Sequence, residues 1–223
     1  MENLTNVTTG KVRLSFVHLF KPYAFTREQE EKFSCTVLVP KTDTDTMARI
    51  NTAIEAAKAK GVSDKWGGVQ PPVIPTPLHD GDGVKPSDGM PFGPECKGHW
   101  VFTASAKADY PPEIVDIQGN PIINQSEIYS GVYARVNITF FPYAFGGKKG
   151  IGCGLGPVQK YADGEALGGS APSASQVFGS QPAHNAPAGQ GYTQSYQAQG
   201  FTNVPQGMQQ AQPAINPITG LPM

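Results

Sequence analysis

Apolar positions along the chain fall into short alternating runs, broken once by a longer stretch with a different period. In "KVRLSFVHLF" (residues 11–20), Val12, Leu14 and Phe16 alternate with Arg13 and Ser15, the period-2 pattern of a half-buried strand. "KFSCTVLVP" (32–40) reads as a second strand, stopped by Pro40. The period then changes. In "KTDTDTMARINTAIEAAKAKG" (41–61), Met47, Ile50, Ile54 and Ala57 form one apolar stripe, which predicts a helix capped by Asp43 or Thr44 and ended by Gly61. Many Pro and Gly between Trp66 and Gly98 predict a long loop. "HWVFTASAKA" (99–108) is the next strand, and Gly-Asn between two β-prone runs in "PEIVDIQGNPII" (112–123) predicts a hairpin. "GVYARVNITFF" (131–141) and "GIGCGLGPVQKY" (150–161) close the series, joined by a short turn carrying "PYAFGGKKG". Five or more strands, one helix and long loops predict a mainly β fold, a small antiparallel barrel or sandwich.

Composition divides the chain after Glu165. Residues 1–165 form the predicted domain. The 58 residues 166–223 contain no Asp, Glu, Lys or Arg and are mostly Gly, Gln, Ala, Pro, Ser and Asn. So few large apolar groups cannot offset the entropy of ordering, so an uncharged disordered tail is expected. Phe178, Tyr192, Tyr196 and Phe201 are spaced through it as potential contacts to nucleic acid or other tails, and the apolar "INPITGLPM" as a short docking peptide. The first residues lack a basic region followed by an apolar one, so no signal peptide is expected. No apolar run reaches the roughly 18–20 residues of a membrane span, and no membrane partner is expected. Cys35, Cys96 and Cys153 are odd in number and far apart, which suits buried, reduced thiols in a cytoplasm.

Net charge is −1, from 17 Lys+Arg and 18 Asp+Glu, which argues against a histone-like positive coat. The charges are nevertheless segregated. Between Glu2 and Glu28 there is no acid, but there are Lys11, Arg13, Lys21 and Arg27. Between Glu127 and Asp163 there is again none, with Arg135, Lys148, Lys149 and Lys160. A smaller acid-free window, between Glu95 and Asp109, interleaves Lys97, His99 and Lys107 with Trp100 and Phe102. The two larger windows each contain one copy of an echo, "FKPYAF" at Phe20–Phe25 and "FFPYAF" at Phe140–Phe145, identical at five of six positions. Cations and aromatic rings concentrated in the same stretches are what a single-strand binder needs, because phosphates are met by Lys and Arg and unstacked bases by flat side chains. In each echo, Pro is expected to break a strand ladder and send Tyr-Ala-Phe into a loop. If the barrel is OB-like, those are the first-to-second and fourth-to-fifth loops that border the binding face, and the echoes face each other across one groove.

Other constellations are incomplete. "GGKKGIGCGLG" is not GxxxxGK[ST], and no helix follows it. "HDGDG" (79–83) and "CKGH" (96–99) hold only fragments of a metal site. Asp80, Asp82 and Asp88 share one loop without a general base, so a nuclease-like magnesium site is the weaker reading. No nucleophile–base set is apparent, and neither an enzyme nor a cofactor is expected.

"LFKPYAF", "VLVPKTD" and above all "GVYARVNITFFPYAFGGKKGIGCGLGPVQKYADGEALGG" resemble a bacteriophage family of single-stranded-DNA-binding proteins, over about residues 8–169. The resemblance implies an OB-like antiparallel barrel that coats replicating or recombining single strands in the host cytoplasm, without catalysis, cofactor or metal. The helix, however, lies between the second and third strands rather than in the later OB position, so a modified topology is expected. The tail lacks the acidic tip common in such proteins, so tail charge is not expected to compete with DNA. The expected partners are single-stranded DNA and, through the tail, phage replication or recombination proteins; a homo-oligomer is compatible with the sequence. The candidate stacking residues are Tyr23, Phe25, Trp100, Tyr133, Tyr143 and Phe145. The candidate phosphate contacts are Arg13, Lys21, Lys107, Arg135, Lys148 and Lys149. Alternation assigns Phe102 and Phe140 to the core, and Trp66 either covers bound DNA or anchors its loop. A virion structural or decoration protein is the rival reading: it explains the neutral charge and the tail but not the coincidence of basic windows with echoes.

Overall fold

The structure, a computed structural model, describes residues 4–24, 26 and 28–168. The segment expected to be a tail lies outside the described residues, apart from Ala166–Gly168. In chain order the elements are β1 (Asn6–Thr8), β2 (Val12–Tyr23), β3 (Lys32–Pro40), α1 (Thr44–Asp64), β4 (His79–Asp80), β5 (His99–Lys107), β6 (Ile114–Val115), β7 (Tyr133–Phe145) and β8 (Lys148–Ala162). No helix among the described residues is long and apolar enough to cross a membrane.

Strands β7, β2, β3, β5 and β8 pair in that order, and β8 returns to β7, so five strands close a ring. This is OB strand order, in which the first strand pairs with the second and fourth and the third lies parallel to the fifth. It is not the continuous antiparallel barrel expected. The β5–β8 seam is parallel and rests on one pair, Ser105 with Gly154. The β2–β7 seam has two pairs, Val12 with Ala134 and Arg13 with Tyr133. By contrast, β3 and β5 pair over their whole length from Lys32–Lys107 to Pro40–His99.

Alternation builds the interior. Val12 and Leu14, then Cys35, Val37 and Val39, then Phe102 and Ala104, then Val136, Ile138 and Phe140 are all essentially buried in one cluster. Phe102 and Phe140 are therefore core, as expected. Helix α1 joins the same cluster through Met47, Ile50, Ala53, Ile54 and Ala57. Its position between β3 and β5 is the predicted departure from the usual OB order. Asp43, not Thr44, is the cap: its Oδ1 accepts from the Thr46 amide at 3.0 Å. The helix does not end at Gly61 but runs to Asp64. Gly61 is needed for space, because a Cβ there would lie 2.6 Å from the Trp66 ring. Burial of that indole outweighs the intrinsic cost of a helical glycine, about 1 kcal/mol.

The long loop is less irregular than its composition suggests. β4 pairs His79 with Val101 and Asp80 with Trp100. Lys41 Nζ reaches Asp80 at 2.5 Å and Asp82 at 2.7 Å, and Asp82 also accepts from the Gly98 amide at 3.0 Å. The aspartates of "HDGDG" thus tie the loop to the end of β3. The Lys41 hydrogen bond, foremost, holds both carboxyls below the usual carboxylate range. A group with a depressed folded pKa stabilises above its unfolded value and loses that contribution as pH falls through the folded one. Protection of the Gly98 amide, measured against its intrinsic exchange rate, is therefore expected to persist above the ordinary carboxylate range, to fall as pH drops through it, and to be lower in Lys41→Met.

The hairpin predicted at 112–123 forms, though it is short. Val115 bridges antiparallel to Pro121, and the Ile122 amide donates to the Ile114 carbonyl at 2.9 Å. Asp116 accepts from the amides of Gln118 and Asn120, each at 2.8 Å, and β6 also pairs in parallel with β8. All three cysteines are free and buried. Burial pushes the Cys35 thiol up to about 12 and Cys96 up to about 11, and raises Cys153 as well. They are packing groups, not nucleophiles.

Candidate nucleic-acid interface

On β7, Ala134, Val136, Ile138, Phe140 and Pro142 are buried, while Tyr133, Arg135, Asn137, Thr139, Phe141, Tyr143 and Phe145 are half-buried or exposed. The paired strand β8 alternates in the same way, with Ile151, Cys153 and Leu155 buried. Its alternate positions are Gly150, Gly152, Gly154 and Gly156, with Gly150 buried beneath Tyr143, so over this stretch the side facing the β7 rings is bare backbone. Tyr143 lies opposite Gly150 and Phe141 opposite Gly152. A Cβ on Gly152 would come within 2.6 Å of the Phe141 ring, and one on Gly150 within 2.7 Å of the Tyr143 hydroxyl. The glycine stripe therefore gives the two rings room to lie against the strand. Phe141 still keeps 45% of its surface exposed. Small residues continue the floor across the ring: Gly154 meets Ser105, Ser105 meets Ser34, and Thr103 meets Thr36.

The two echoes bound this face differently from expectation. Neither proline breaks a strand: Pro22 lies within β2 and Pro142 within β7. Pro142 faces Ile151, whose amide is bonded instead to the Pro75 carbonyl at 2.9 Å. That pairing needs no N–H from residue 142, and so accepts a proline. Gly146 and Gly147, with φ of 55° and 76°, form the two-residue turn that carries Phe145 and Lys148. Tyr23 pairs with Lys32, and Lys32 with Lys107, in one rung at the other end of the strands. Counted from the Ser105–Gly154 pair, this rung and the hairpin are eight residue steps apart, or about 25 Å at ~3.3 Å per residue. The echoes therefore stand at opposite ends of one face rather than opposing each other across a groove. Phe25 and Arg27 lie outside the described residues.

The remaining candidates divide into groups. Phe145 is 86% exposed at the hairpin tip, beside the exposed Lys148. Lys149 donates to the Trp66 carbonyl at 3.1 Å, and the Trp66 indole N–H donates to the Tyr143 carbonyl at 3.0 Å. Trp66 is only 3% exposed, so it anchors the hairpin rather than covering a ligand. Lys21 is exposed near Tyr23, which stacks on His18 at 4.4 Å between centroids. Tyr133 lies at the far end of β7, ten residues from Tyr143, with Lys11 Nζ 4.3 Å and the Arg13 guanidinium 5.9 Å from its ring, while Arg135 donates to the Thr9 carbonyl at 3.4 Å. Arg13 is partly engaged there, donating to the carbonyls of Gly131 and Glu165. Trp100 packs towards the core, with Lys41 Nζ 5.1 Å from its ring. Lys107 is exposed on the other face of β5, so the third basic window is split by alternation. Among the described residues, Arg13, Lys21, Lys107, Arg135, Lys148 and Lys149 form no ion pair, whereas Lys160 is held by Glu127 and Asp163.

Two aromatic residues of this face were absent from the sequence reading as site residues. Phe141 was legible: it alternates outward on β7 opposite a GxGxGxG strand. Phe16 was not, because alternation places it with Val12 and Leu14 in the core. From Ser15 to His18, β2 takes three steps where β3 takes two, from Thr36 to Ser34. The extra residue makes a bulge, and Phe16, at φ 47°, turns out with 68% of its surface exposed.

Residues 5–187 match the family described as the Enterobacter phage Enc34 ssDNA-binding protein. Among solved structures, the single-stranded DNA-binding protein from bacteriophage Enc34 in complex with ssDNA is similar at 29% identity and a TM-score of 0.62, covering 74% of this chain and 90% of that one. A second structure of the single-stranded DNA-binding protein from bacteriophage Enc34 aligns at 28% identity and a TM-score of 0.59, covering 78% of this chain and 90% of that one. The gp2.5 single-stranded DNA binding protein of bacteriophage T7 shares the fold at 15% identity and a TM-score of 0.51, covering 82% and 98%. Among curated proteins, none matches the chain. The match over most of the chain, together with the OB strand order, shows that the chain belongs to the phage Enc34 ssDNA-binding protein family.

Proposed function

We propose that this protein binds single-stranded DNA without sequence specificity during phage DNA replication and recombination. The observation that carries the reading is the joint placement of exposed rings and ion-pair-free cations around a glycine- and serine-floored face. Phe141, Tyr143 and Phe145 offer stacking surfaces along β7. Lys148, Lys149, Lys107 and Lys21 supply positive charge at its two ends. Stacking on flat rings and attraction of phosphates are indifferent to base identity, and so account for binding to any sequence. Membership of a family typified by a protein solved in complex with ssDNA supports the same reading. The role requires no chemistry, and of the three aspartates weighed for a metal, Asp80 and Asp82 hold Lys41 while Asp88 accepts from the Met90 amide. Binding replicating phage DNA would take place in the host cytoplasm.

Binding of the full chain to fluorescent oligo-dT across a salt series tests this. Affinity is expected to fall log-linearly with salt, with a slope of about −0.7 per phosphate neutralised. No binding at low salt, or affinity indifferent to salt, would sink the reading.

A further inference from the structure

Resting on that function, we propose that Phe16 and Phe92 form a pocket for one unstacked nucleobase, which makes binding selective for single strands. Phe16 is the one non-glycine residue among those described with a left-handed backbone. A bulky aromatic rarely adopts that conformation, and holding it there costs stability. The bulge takes a phenyl ring that alternation would have buried and turns it into water. An exposed aromatic held out at a strained bulge is a re-aimed side chain.

The ring lines a groove of about 400 Å³ with Thr36, Lys85, Phe92, Val101 and Thr103. This lies within the size range of small-molecule sites. The loop after β4 builds the opposite wall. The Lys85 amide donates to the Met90 carbonyl at 2.8 Å, and Val84 bridges to Pro91, so a small turn presents Lys85 and Phe92 towards β5. The Phe92 ring is itself backed by His79 at 6.3 Å between centroids. Thr36 and Thr103 belong to the same small-residue floor that runs through Ser34, Ser105 and Gly154 to Phe141, so the groove continues the interface already described.

Its chemistry selects a base rather than a phosphate. Glu95 also lines the groove, offsetting Lys85, so the site is not a cationic cradle. It has apolar and aromatic surface for a flat ring, with a cation, a carboxylate and two threonine hydroxyls as donors and acceptors around it. Every nucleobase carries both donors and acceptors on its edge. A base paired and stacked in a duplex cannot enter.

The test uses the full chain, with oligo-dT, a duplex of equal length, and an oligonucleotide carrying one 2-aminopurine. Phe16→Gly suits the backbone and removes the ring. It is expected to keep or raise Tm while weakening oligo-dT binding roughly 5- to 150-fold, the range for one lost stacking platform. Its salt slope stays that of the wild type, because no charge is removed. Phe92→Ala is expected to weaken binding in the same direction, and either change to diminish the 2-aminopurine fluorescence response and lower the preference for single strands over duplex. Oligo-dT binding and strand preference equal to wild type in both variants overturn the proposal, as does a Phe16→Gly variant that loses stability together with affinity. Failure of the wild type to bind oligo-dT at all would instead strike at the function itself.

Discussion

Replacing Phe141 and Tyr143 together by alanine is expected to lower affinity for oligo-dT by about 2–6 kcal/mol, at ~1–3 kcal/mol for each stacked base. Both rings stand on β7 opposite glycines of β8, with no side chain beneath them. Each can therefore present a face to a base without leaving its place. Gly152→Val checks the geometry without deleting a ring. Its Cβ would fall 2.6 Å from the Phe141 ring, so the ring must move off the strand. The variant is expected to lose binding as Phe141→Ala does, while the outward position of residue 152 spares the core. Equilibrium titrations at one fixed salt concentration decide the matter. Wild-type affinity in the double alanine variant would remove β7 from the interface.

Trp66→Ala is expected to have the largest effect on stability, about 3–5 kcal/mol for a buried tryptophan, or a fall in Tm of about 6–20 °C in a domain of this size. The indole fills the space above Gly61 and donates to the Tyr143 carbonyl at 3.0 Å. Its removal leaves a cavity at the end of α1 and frees the hairpin that carries Tyr143, Phe145 and Lys148. Affinity for single strands should therefore fall too, although Trp66 is itself buried away from any ligand. Trp66→Phe keeps most of the apolar area but loses the N–H, and is expected to cost less. Calorimetry on the three proteins reads the order directly. If Trp66→Ala melted like the wild type, the hairpin would need some other support.

Much of the candidate face is legible in the sequence. Acid-free windows located Arg13, Lys21, Lys107, Arg135, Lys148 and Lys149, which form no ion pair among the described residues, but also Lys160, which Glu127 and Asp163 hold, and the echo located Tyr23, Tyr143 and Phe145. Charge segregation survives folding because a lysine on a strand facing solvent stays near the residues beside it in sequence. What did not survive was the assumption that neighbours in sequence share a face. Trp100 and Lys107 lie on opposite sides of β5, because strand side chains alternate. Lys11 and Arg13 are drawn over the Tyr133 ring at the far end of β7, and Arg135 is turned to the Thr9 carbonyl. The aspartate loop, a weak metal candidate in sequence, is explained by Lys41, some forty residues away.

The sequence by itself determined the local matters: which runs are strands, where the helix starts, which phenylalanines of β5 and β7 are core, and where positive charge collects. Each rests on periods of two or 3.6 residues and on capping chemistry within a few positions. Tertiary structure decided what depends on pairing partners. The glycines of β8 acquire meaning only when β7 lays Phe141 and Tyr143 across them. Gly61 lies inside a helix only because Trp66 returns to cover it. Phe16 leaves the core only because β2 takes one step more than β3. Register is a property of two strands at once, and no pattern along either strand alone carries it.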